Sequence, residues 1–273
     1  MCDRNVYAIP KVVADVNDCF FYHTMDVPGY GLREGQWDLR HTLDGYLGGV
    51  SFKGKRVLEI GTADGFICFH MERLGAQVVA YDLSPQDEWD IIPYAGYDYL
   101  QTIEDRKEHI RQLNNAFWLC HRLFESKAKM VYGTVYTVPQ EIGAVDISIF
   151  GSILLHLRDP FGALQRALAL TRETVIVAEP LWDDRLSRIL AKLGVPYMRF
   201  LPNFAKCEPK DAWWYLPPAV ITKFIQVLGF EDVQVYYHTQ QYGPWGGYKR
   251  VPYYTVVGKR TRSQVTRARV SAE

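Results

Sequence analysis

The sequence predicts an α/β fold: a seven-stranded, mostly parallel sheet with helices on both faces and an antiparallel strand pair that closes it. Two observations carry this prediction. Short β-rich runs alternate with helical patterns along most of the chain, and the last two runs follow each other without a helix between them. Strands linked through helices pair in parallel, whereas strands joined by a short loop pair antiparallel.

The first β-α-β unit is the clearest part of this pattern. Residues 55–60 form a short β-rich run that stops at Gly61, residues 66–74 show helical spacing, and a second run at 77–82 ends in Asp82. Such units connect their strands by a right-handed crossover. Both strands should therefore end at the same edge of the sheet.

The other predicted elements continue the alternation after an irregular insertion at residues 84–114, which we expect above the carboxyl edge of the sheet. They are a helix at 103–125, strands at 128–132, 145–150 and 174–179, helices from Pro160 and at 218–228, and closing strands at 231–237 and 253–259. The glycine-rich loop at 242–248 would cover an acceptor or contact another subunit, as in a homodimer. We expect a lid or helical segment at 1–50, the sheet domain at 51–260 and a disordered basic tail at 261–273.

Composition narrows the class of protein. The 273 residues include 31 Lys and Arg and 31 Asp and Glu, so no overall field draws the chain to nucleic acid or to an anionic membrane. The five cysteines lack the paired spacing of zinc sites and redox motifs, so we expect no metal and reduced thiols in the cytoplasm. We find no apolar run long enough to span a membrane and no signal-peptide pattern.

The turn after the first strand predicts a nucleoside site. Gly61 allows the backbone to approach a ligand closely, and Gly65 lets the next helix begin against the sheet. Asp82 can accept hydrogen bonds from both ribose hydroxyls, although a strand-end aspartate also commonly caps the following turn. The Gly-x-Gly-x-x-Gly frame that a dinucleotide's pyrophosphate uses is absent here.

The spacing from Glu59 to Gly65, Glu-x-Gly-x-x-x-Gly, resembles motif I of the class I S-adenosylmethionine-dependent methyltransferases, which have a Rossmann-like sheet of this kind. The resemblance implies that this loop passes under the methionine part of S-adenosylmethionine, whose product is S-adenosylhomocysteine. The turns after the third and fourth strands would line the adenine and the sulfonium, a cation that ring faces attract. The predicted cofactor residues of these turns are Glu59, Gly61, Thr62, Ala63, Gly65, Asp82, Leu83, Thr134, Val135, Phe150 and Gly151.

Four further segments resemble a narrower group, the relatives of the tRNA wobble-uridine carboxymethyl transferase, which also includes small-molecule methyltransferases. These segments are residues 21–26, 35–40, 132–136 and 154–160. By this resemblance Tyr22, Trp37 and Arg40 fold over the cofactor as a lid, with the forked guanidinium of Arg40 at its carboxylate. Alternatively, Trp37 anchors the core and Arg40 forms a surface ion pair. The short segment before the first strand and the lack of a basic stripe depart from a tRNA-positioning enzyme.

Three side chains are candidates for a general base that takes a proton from the acceptor. His156 follows the fourth strand, Glu179 ends the fifth strand, and His23 lies in the predicted lid. His156 could equally cap a helix or pack on the adenine. The predicted acceptor pocket, which could equally be an apolar seal of the domain edge, consists of Trp182, Trp213, Trp214 and Tyr215.

The sequence thus predicts a methyltransferase that acts on a small molecule such as a natural product, a sugar or an aromatic compound, with oxygen favoured as the acceptor atom. A second candidate is a tRNA uridine-modifying (carboxy)methyltransferase, for which a local basic face would be formed by Arg185, Arg188, Lys192 and Arg199. A third is an NAD-dependent oxidoreductase on a similar sheet, and a fourth is a cofactor-binding protein without catalysis.

Overall fold

The structure is a computed structural model that describes residues 6–182, 184–193, 195–243 and 247–262. Its amino-terminal segment is mainly extended, which corrects the helical part of the prediction for residues 1–50. The segment holds a 3₁₀ turn at Val16–Asp18, β1 (Met25–Val27), β2 (Gly31–Arg33), β3 (Trp37–Asp38) and the short helix α1 (Leu43–Tyr46). Most of the predicted disordered tail, residues 263–273, lies outside the described residues, as does the tip of the glycine-rich loop at 244–246.

The rest of the chain alternates strands and helices as predicted. The strands are β4 (Arg56–Ile60), β5 (Gln77–Asp82), β6 (Lys129–Tyr132), β7 (Val145–Gly151), β8 (Thr171–Pro180), β9 (Arg199–Phe200), β10 (Trp214–Tyr215), β11 (Asp232–Tyr242) and β12 (Lys249–Lys259). The helices are α2 (Phe66–Arg73), α3 (Leu100–Leu123), α4 (Pro160–Leu168), α5 (Arg185–Lys192) and α6 (Pro218–Val227). Among the described residues, no helix is both long and apolar enough to cross a bilayer.

One large sheet organises the molecule, in the strand order β3-β11-β12-β8-β7-β4-β5-β6. The strands from β8 to β6 pair in parallel, whereas β12 pairs antiparallel with both β8 and β11. All seven predicted strands are present, so the predicted fold class is confirmed. The eighth strand is β3, which pairs Trp37 with Tyr242 at the edge of the sheet.

Alternating side chains of the central strands explain why helices cover both faces. Val78 of β5 packs in one apolar core with Phe117 of α3, and the next residue, Val79, packs in the other core with Ile221 of α6. Successive residues of a strand point to opposite faces, and parallel strands covered on both faces are apolar almost throughout. The helices thus leave the carboxyl ends of the strands open for a site.

The insertion after β5 lies beside those carboxyl ends. It has no regular structure before α3, which begins at Leu100, three residues earlier than predicted. Ile92 of the insertion packs against Trp213, and its backbone N–H donates to the Lys210 carbonyl at 2.9 Å. Two loops that are far apart in the sequence are thereby joined above the sheet.

Candidate functional site

A cavity of about 560 Å³ opens at the carboxyl ends of the parallel strands. This volume is within the range of about 300 to 1,000 Å³ that is typical of small-molecule sites. The predicted site residues that line it are Tyr22, Trp37, Gly61, Ala63, Asp82, Leu83, Thr134, Val135, Gly151 and His156. The structure therefore brings together ten of the residues that the sequence selected.

The carboxylate of Asp82 is held in one orientation by the backbone. Its Oδ2 accepts a hydrogen bond from the Ala63 N–H at 2.6 Å, and its Oδ1 accepts one from the Leu83 N–H at 2.7 Å. Burial raises the pKa of Asp82 to about 6, although both hydrogen bonds act to lower it. Each carboxylate oxygen has a second acceptor position, so the group can still accept hydrogen bonds from a ligand.

The glycine turn brings backbone close to the cavity beside Asp82. Gly61 has a φ of +79°, and a Cβ built on it would lie 2.7 Å from Cδ1 of Ile153. Beneath the turn, the Thr62 hydroxyl donates to buried Glu59 at 2.7 Å, and burial raises the pKa of Glu59 to about 8. Glu59 and Thr62 therefore support the loop from behind the cavity wall.

Gly65 and Phe150 also lie behind the wall. Gly65 precedes α2 with a φ of +84°, and Phe150 is fully buried in the core. Neither residue lines the cavity. Their contribution is to the shape of the strand ends rather than to ligand contact.

A buried contact that the sequence reasoning missed connects the glycine loop to the amino-terminal segment. Asp64, which is 0% exposed, accepts the His23 backbone N–H at 2.7 Å and pairs with His23 Nδ1 at 2.7 Å. The His23 ring also stacks on Phe66 at 5.4 Å. His23 does not line the cavity, and its contacts are those of a tether between the amino-terminal segment and the glycine loop.

Aromatic side chains from the amino-terminal segment and the closing strands form one wall of the cavity. Trp37 Nε1–H donates to the Tyr22 hydroxyl at 3.0 Å. The Trp37 ring lies 4.7 Å from the ring of Tyr242 and 5.4 Å from that of Tyr253. Arg40 takes no part in this wall, since its guanidinium donates to the Asp38 carboxylate at 2.9 and 2.7 Å and does not line the cavity. The alternative of a surface ion pair thus describes Arg40, and its predicted place at the cofactor is corrected.

One face of α3 forms the opposite wall, which the sequence reasoning also missed. The lining residues of this helix are Arg106, His109, Ile110, Leu113 and Asn114. They recur at intervals of three and four, which places them on one helix face. Because charged, polar and apolar side chains are mixed on this face, the sequence shows no hydrophobic period that would have predicted it.

His156 lies where α3 and the insertion meet. Its Nδ1 is bonded to the backbone carbonyl of Asp211, and its ring centroid lies 6.4 Å from that of Trp89. Burial lowers the pKa of His156, so the ring is neutral near neutral pH. Because the carbonyl can only accept, Nδ1 carries the proton and Nε2 retains its lone pair.

The charges around the cavity are mainly negative. Four acidic side chains line it, namely those of Asp82, Glu88, Asp90 and Asp211. Arg106 is the only Lys or Arg among the described lining residues, and it forms an ion pair with Asp211. An acidic cavity attracts cationic ligands and repels anionic ones.

Glu179 is buried beneath the turn that carries His156 and does not line the cavity. Its Oε1 accepts the Leu154 backbone N–H at 2.8 Å, whereas its Oε2 has no hydrogen-bond partner within the part of the chain that the structure describes. Burial raises the pKa of Glu179 to about 8. Its contacts are thus those of a support for the turn.

The predicted acceptor aromatics lie outside the cavity. Trp213 Nε1–H donates to the Asp90 carbonyl at 2.7 Å, and Trp214 Nε1–H donates to the Arg158 carbonyl at 3.3 Å. Trp182 stacks on Tyr215 with a centroid distance of 5.1 Å. These contacts correct the acceptor-pocket prediction and agree with the alternative of an apolar seal.

The predicted local basic face is only partly described. Arg199 lies 3.9 Å from Asp184 and 5.3 Å from the Trp182 ring centroid, so its charge is already engaged. Arg185 is exposed at the start of α5. The side chains of Arg188 and Lys192 lie outside the described part of the chain.

No protein-family model matches the chain, and no curated protein matches it. Solved structures to which the chain is similar include the N-terminal domain of EvdMO1 with SAH bound, at 13% identity over 90% of this chain and 92% of that chain, with a TM-score of 0.49. Magnesium protoporphyrin IX methyltransferase (ChlM) from Synechocystis PCC 6803 with bound SAH is 13% identical over 77% of this chain and 75% of that chain, with a TM-score of 0.45. A third is 1,6-didemethyltoxoflavin-N1-methyltransferase from Burkholderia thailandensis, at 14% identity over 81% and 75% of the two chains and a TM-score of 0.45. A shared fold does not by itself fix a function.

Proposed function

We propose that the protein is a class I S-adenosylmethionine-dependent methyltransferase that methylates a small molecule, with oxygen as the acceptor atom. The observation that carries the proposal is the Asp82 carboxylate, fixed by two backbone hydrogen bonds beside the Gly61 turn of an acidic cavity. A fixed carboxylate with free acceptor positions suits the two hydroxyls of a ribose. The acidic lining suits a ligand with cationic groups.

The residues of the cavity fit this cofactor, which supplies a methyl group on a positively charged sulfur. Asp82 would bind the ribose, and the turn at Thr134 and Val135 would flank the adenine. The ring faces of Tyr22, Trp37 and Tyr253 would lie at the sulfonium, since aromatic faces attract cations. In this proposal residues 1–50 close over the cofactor and residues 51–260 form the catalytic domain.

His156 is the base that this proposal favours. It lines the cavity, whereas His23 and Glu179 do not. A neutral imidazole whose Nδ1–H is held by a carbonyl can accept a proton at Nε2. Besides this proton transfer, the alignment of acceptor and cofactor in one cavity contributes to the rate enhancement.

An oxidoreductase and a tRNA-modifying enzyme are less well supported. An NAD-dependent oxidoreductase would have to place a pyrophosphate in a cavity with four acidic side chains and one paired arginine. A tRNA substrate would place its phosphates next to the same acidic side chains. A salt titration of tRNA binding tests the tRNA hypothesis, because contacts to several phosphates give a steeply salt-dependent affinity.

The cofactor is tested by thermal unfolding with S-adenosylhomocysteine and, in parallel, with NADH. A ligand that binds only the folded state raises the melting temperature. We expect S-adenosylhomocysteine to stabilise the protein and NADH to have no effect. Stabilisation by NADH alone would overturn the proposed function.

A further inference from the structure

One end of the cavity is lined by aromatic and charged side chains that the binding of S-adenosylmethionine does not require. We name it the histidine chamber and define it by its described lining residues Trp89, Arg106, His109, His156 and Asp211. The indole of Trp89 is its centre. The ring centroid of His109 lies 6.2 Å from that of Trp89, and the Arg106 guanidinium carbon lies 4.8 Å from the Trp89 centroid.

The chamber lies at a distance from the proposed nucleoside position. Asn114 of α3 donates to the Leu83 carbonyl, next to Asp82, at 3.1 Å. Arg106 lies eight residues earlier on the same helix, which at 1.5 Å per residue is about 12 Å along the axis. The Arg106 end of the histidine chamber is therefore separated from a cofactor whose ribose is at Asp82, and this end can hold a second molecule.

Charge restricts what that second molecule can be. The guanidinium of Arg106 is already paired with Asp211. Two further carboxylates, those of Glu88 and Asp90, belong to the same lining. Because Arg106 and Asp211 neutralise each other, an anionic acceptor would meet the two remaining carboxylates, whereas a neutral or cationic acceptor would not be repelled.

The flat rings of the chamber favour a flat acceptor, and its histidines favour one with a hydroxyl. Trp89, His109 and His156 offer ring faces and edges, and Ile110 and Leu155 add apolar surface. Burial and nearby Arg106 lower the pKa of His109, and burial lowers that of His156. Both rings are then neutral near neutral pH and can accept a hydrogen bond from a hydroxyl.

On the basis of the proposed methyl transfer, we propose that the histidine chamber binds a hydroxylated aromatic acceptor without an anionic group and that His156 Nε2 takes its hydroxyl proton. The acceptor oxygen forms a bond to the methyl carbon while the carbon–sulfur bond breaks, and the electron pair of that bond stays on sulfur as a neutral thioether. The hydroxyl proton passes to Nε2 and from there to solvent. The other groups that face His156 are Trp89, Arg106 and Asp211.

Three para-substituted phenols of similar size whose substituents differ in charge test the binding part of the proposal. They are para-hydroxybenzylamine, para-hydroxybenzyl alcohol and para-hydroxybenzoate, a cation, a neutral molecule and an anion. Binding to the protein loaded with S-adenosylhomocysteine is followed by saturation-transfer NMR. We expect the amine and the alcohol to bind and the benzoate to bind at least about tenfold more weakly, which is about 1.4 kcal/mol.

The outcomes separate this inference from the proposed function. If calorimetry detects no binding of S-adenosylhomocysteine, the proposed function itself is wrong. If S-adenosylhomocysteine binds but the benzoate binds best, or none of the three phenols binds, the chamber inference alone is overturned.

The role of His156 is tested with His156→Asn, which can still donate to the Asp211 carbonyl but lacks Nε2. We expect phenol binding to weaken by no more than about tenfold, the scale of one lost hydrogen bond, and methyl transfer at saturating phenol to fall by about 100-fold or more. Wild-type transfer should fall as the pH drops below 6.5, the ordinary histidine value, because the lowered pKa places protonation there. The measurement is made at saturating S-adenosylmethionine, because protonation of Asp82, whose pKa is about 6, would otherwise weaken cofactor binding in the same pH range. Under that condition the variant should lose the acid limb. The control is His41→Asn at an exposed position outside the cavity, which should behave as the wild type.

Two results would overturn the assignment of His156. One is an unchanged rate and pH profile in His156→Asn. The other is binding of the phenols by the wild type with no transfer of methyl to any of them.

Discussion

Asp82 shows how a single carboxylate can be prepared for a ligand before the ligand arrives. Its two backbone hydrogen bonds come from residues on either side of the cavity rim, Ala63 and Leu83. A carboxylate without such bonds would lose rotamer freedom on binding, and this cost reduces affinity. The hydrogen bonds of the protein therefore contribute to ligand affinity indirectly.

We expect Asp82→Ala to weaken S-adenosylhomocysteine binding by roughly 1.5 to 3 kcal/mol, the scale of hydrogen bonds to a charged group. That is roughly a 10- to 150-fold rise in Kd, measurable by isothermal titration calorimetry. Asp105→Ala is the matched control, because Asp105 is exposed on α3 and outside the cavity. Equal affinities of Asp82→Ala and wild type would remove Asp82 from the cofactor site.

Glu179 makes the stability of the protein depend on pH. Its pKa of about 8 in the folded chain exceeds the ordinary value of 4.5, because burial disfavours the charged form. Between pH 4.5 and pH 8, the folded chain therefore retains a proton on Glu179 that the unfolded chain has released. The protonated Glu179 carboxyl therefore makes its full contribution to the stability of the folded chain below pH 4.5. This contribution is lost as the pH rises towards 8.

In Glu179→Gln this contribution is absent, so the melting temperature should fall less between about pH 5 and 8 than in the wild type. The difference in unfolding free energy should be of the order of 3 kcal/mol at the alkaline end. The amide oxygen can still accept the Leu154 N–H, so the turn should remain intact. Glu173→Gln, at a half-exposed site on the same strand, should keep the wild-type slope. If the melting temperatures of Glu179→Gln and wild type fall equally with pH, the buried Glu179 carboxyl is not the cause of the pH dependence.

At the scale of elements, the strands were predictable because they are buried on both faces. Val57, Leu58 and Ile60 of β4 are all fully buried, so most of this short strand is apolar in the sequence even though Glu59 interrupts the run. β3 was not predicted, since two residues are too few to show a period. It exists because β11 extends as far as Tyr242 and offers a free edge to pair with.

The cofactor half of the candidate site was more predictable than the acceptor half. Gly61 follows β4 directly and Asp82 is the last residue of β5, and the ends of parallel strands meet at one edge. Trp89 lies in an irregular insertion whose position depends on tertiary contacts such as the bond between Ile92 and Lys210. Tertiary contacts of this kind leave no periodic pattern in the sequence from which they could be predicted. The position of Trp182 and Trp213 between the fifth strand and the last helix therefore did not predict the residues that line this part of the cavity.

The junction between β4 and α2 has strict steric requirements. Gly65 has a φ of +84°, and a Cβ there would lie 2.5 Å from Phe69 and 2.8 Å from Phe117. Both phenylalanines are buried and cannot move away freely. Gly49 offers a comparison, because its φ is +65° but nothing lies within 4 Å of a Cβ built on it.

We expect Gly49→Ala to lower the unfolding free energy by about 1 to 2 kcal/mol, the cost of a left-handed backbone for alanine. Gly65→Ala should lose a further amount of about 1 to 3 kcal/mol because of overpacking. Urea unfolding of both variants measures the difference. Equal losses in the two variants would show that Phe69 and Phe117 do not restrict this position.

At the scale of the whole molecule, the cavity is closed by the amino-terminal segment, and three of the attachments of this segment lie close to the residues that line the cavity. Trp37 pairs with Tyr242 at the sheet edge, and the Phe20 N–H donates to the Gln112 carbonyl of α3 at 3.1 Å. The third attachment is the buried contact between His23 and Asp64 of the glycine loop. Since Tyr22 and Trp37 line the cavity, these attachments link the order of the segment to ligand binding.

His23→Ala tests this coupling. The variant leaves one Asp64 oxygen without its side-chain partner in a fully buried position, which should cost about 1.5 to 3 kcal/mol of unfolding free energy. It should also weaken S-adenosylhomocysteine binding, because the aromatic wall of Tyr22 and Trp37 then has to be ordered when the ligand binds. Chemical denaturation and calorimetry measure the two effects.

Arg40→Ala is the informative comparison for this variant. Arg40 belongs to the same segment, but its contact is an ion pair with Asp38 outside the cavity. Binding of S-adenosylhomocysteine to Arg40→Ala should match the wild type, because the substitution leaves both Tyr22 and the buried tether in place. A loss of affinity in Arg40→Ala but not in His23→Ala would reverse the assignment, since the guanidinium would then reach the ligand and the tether would be dispensable.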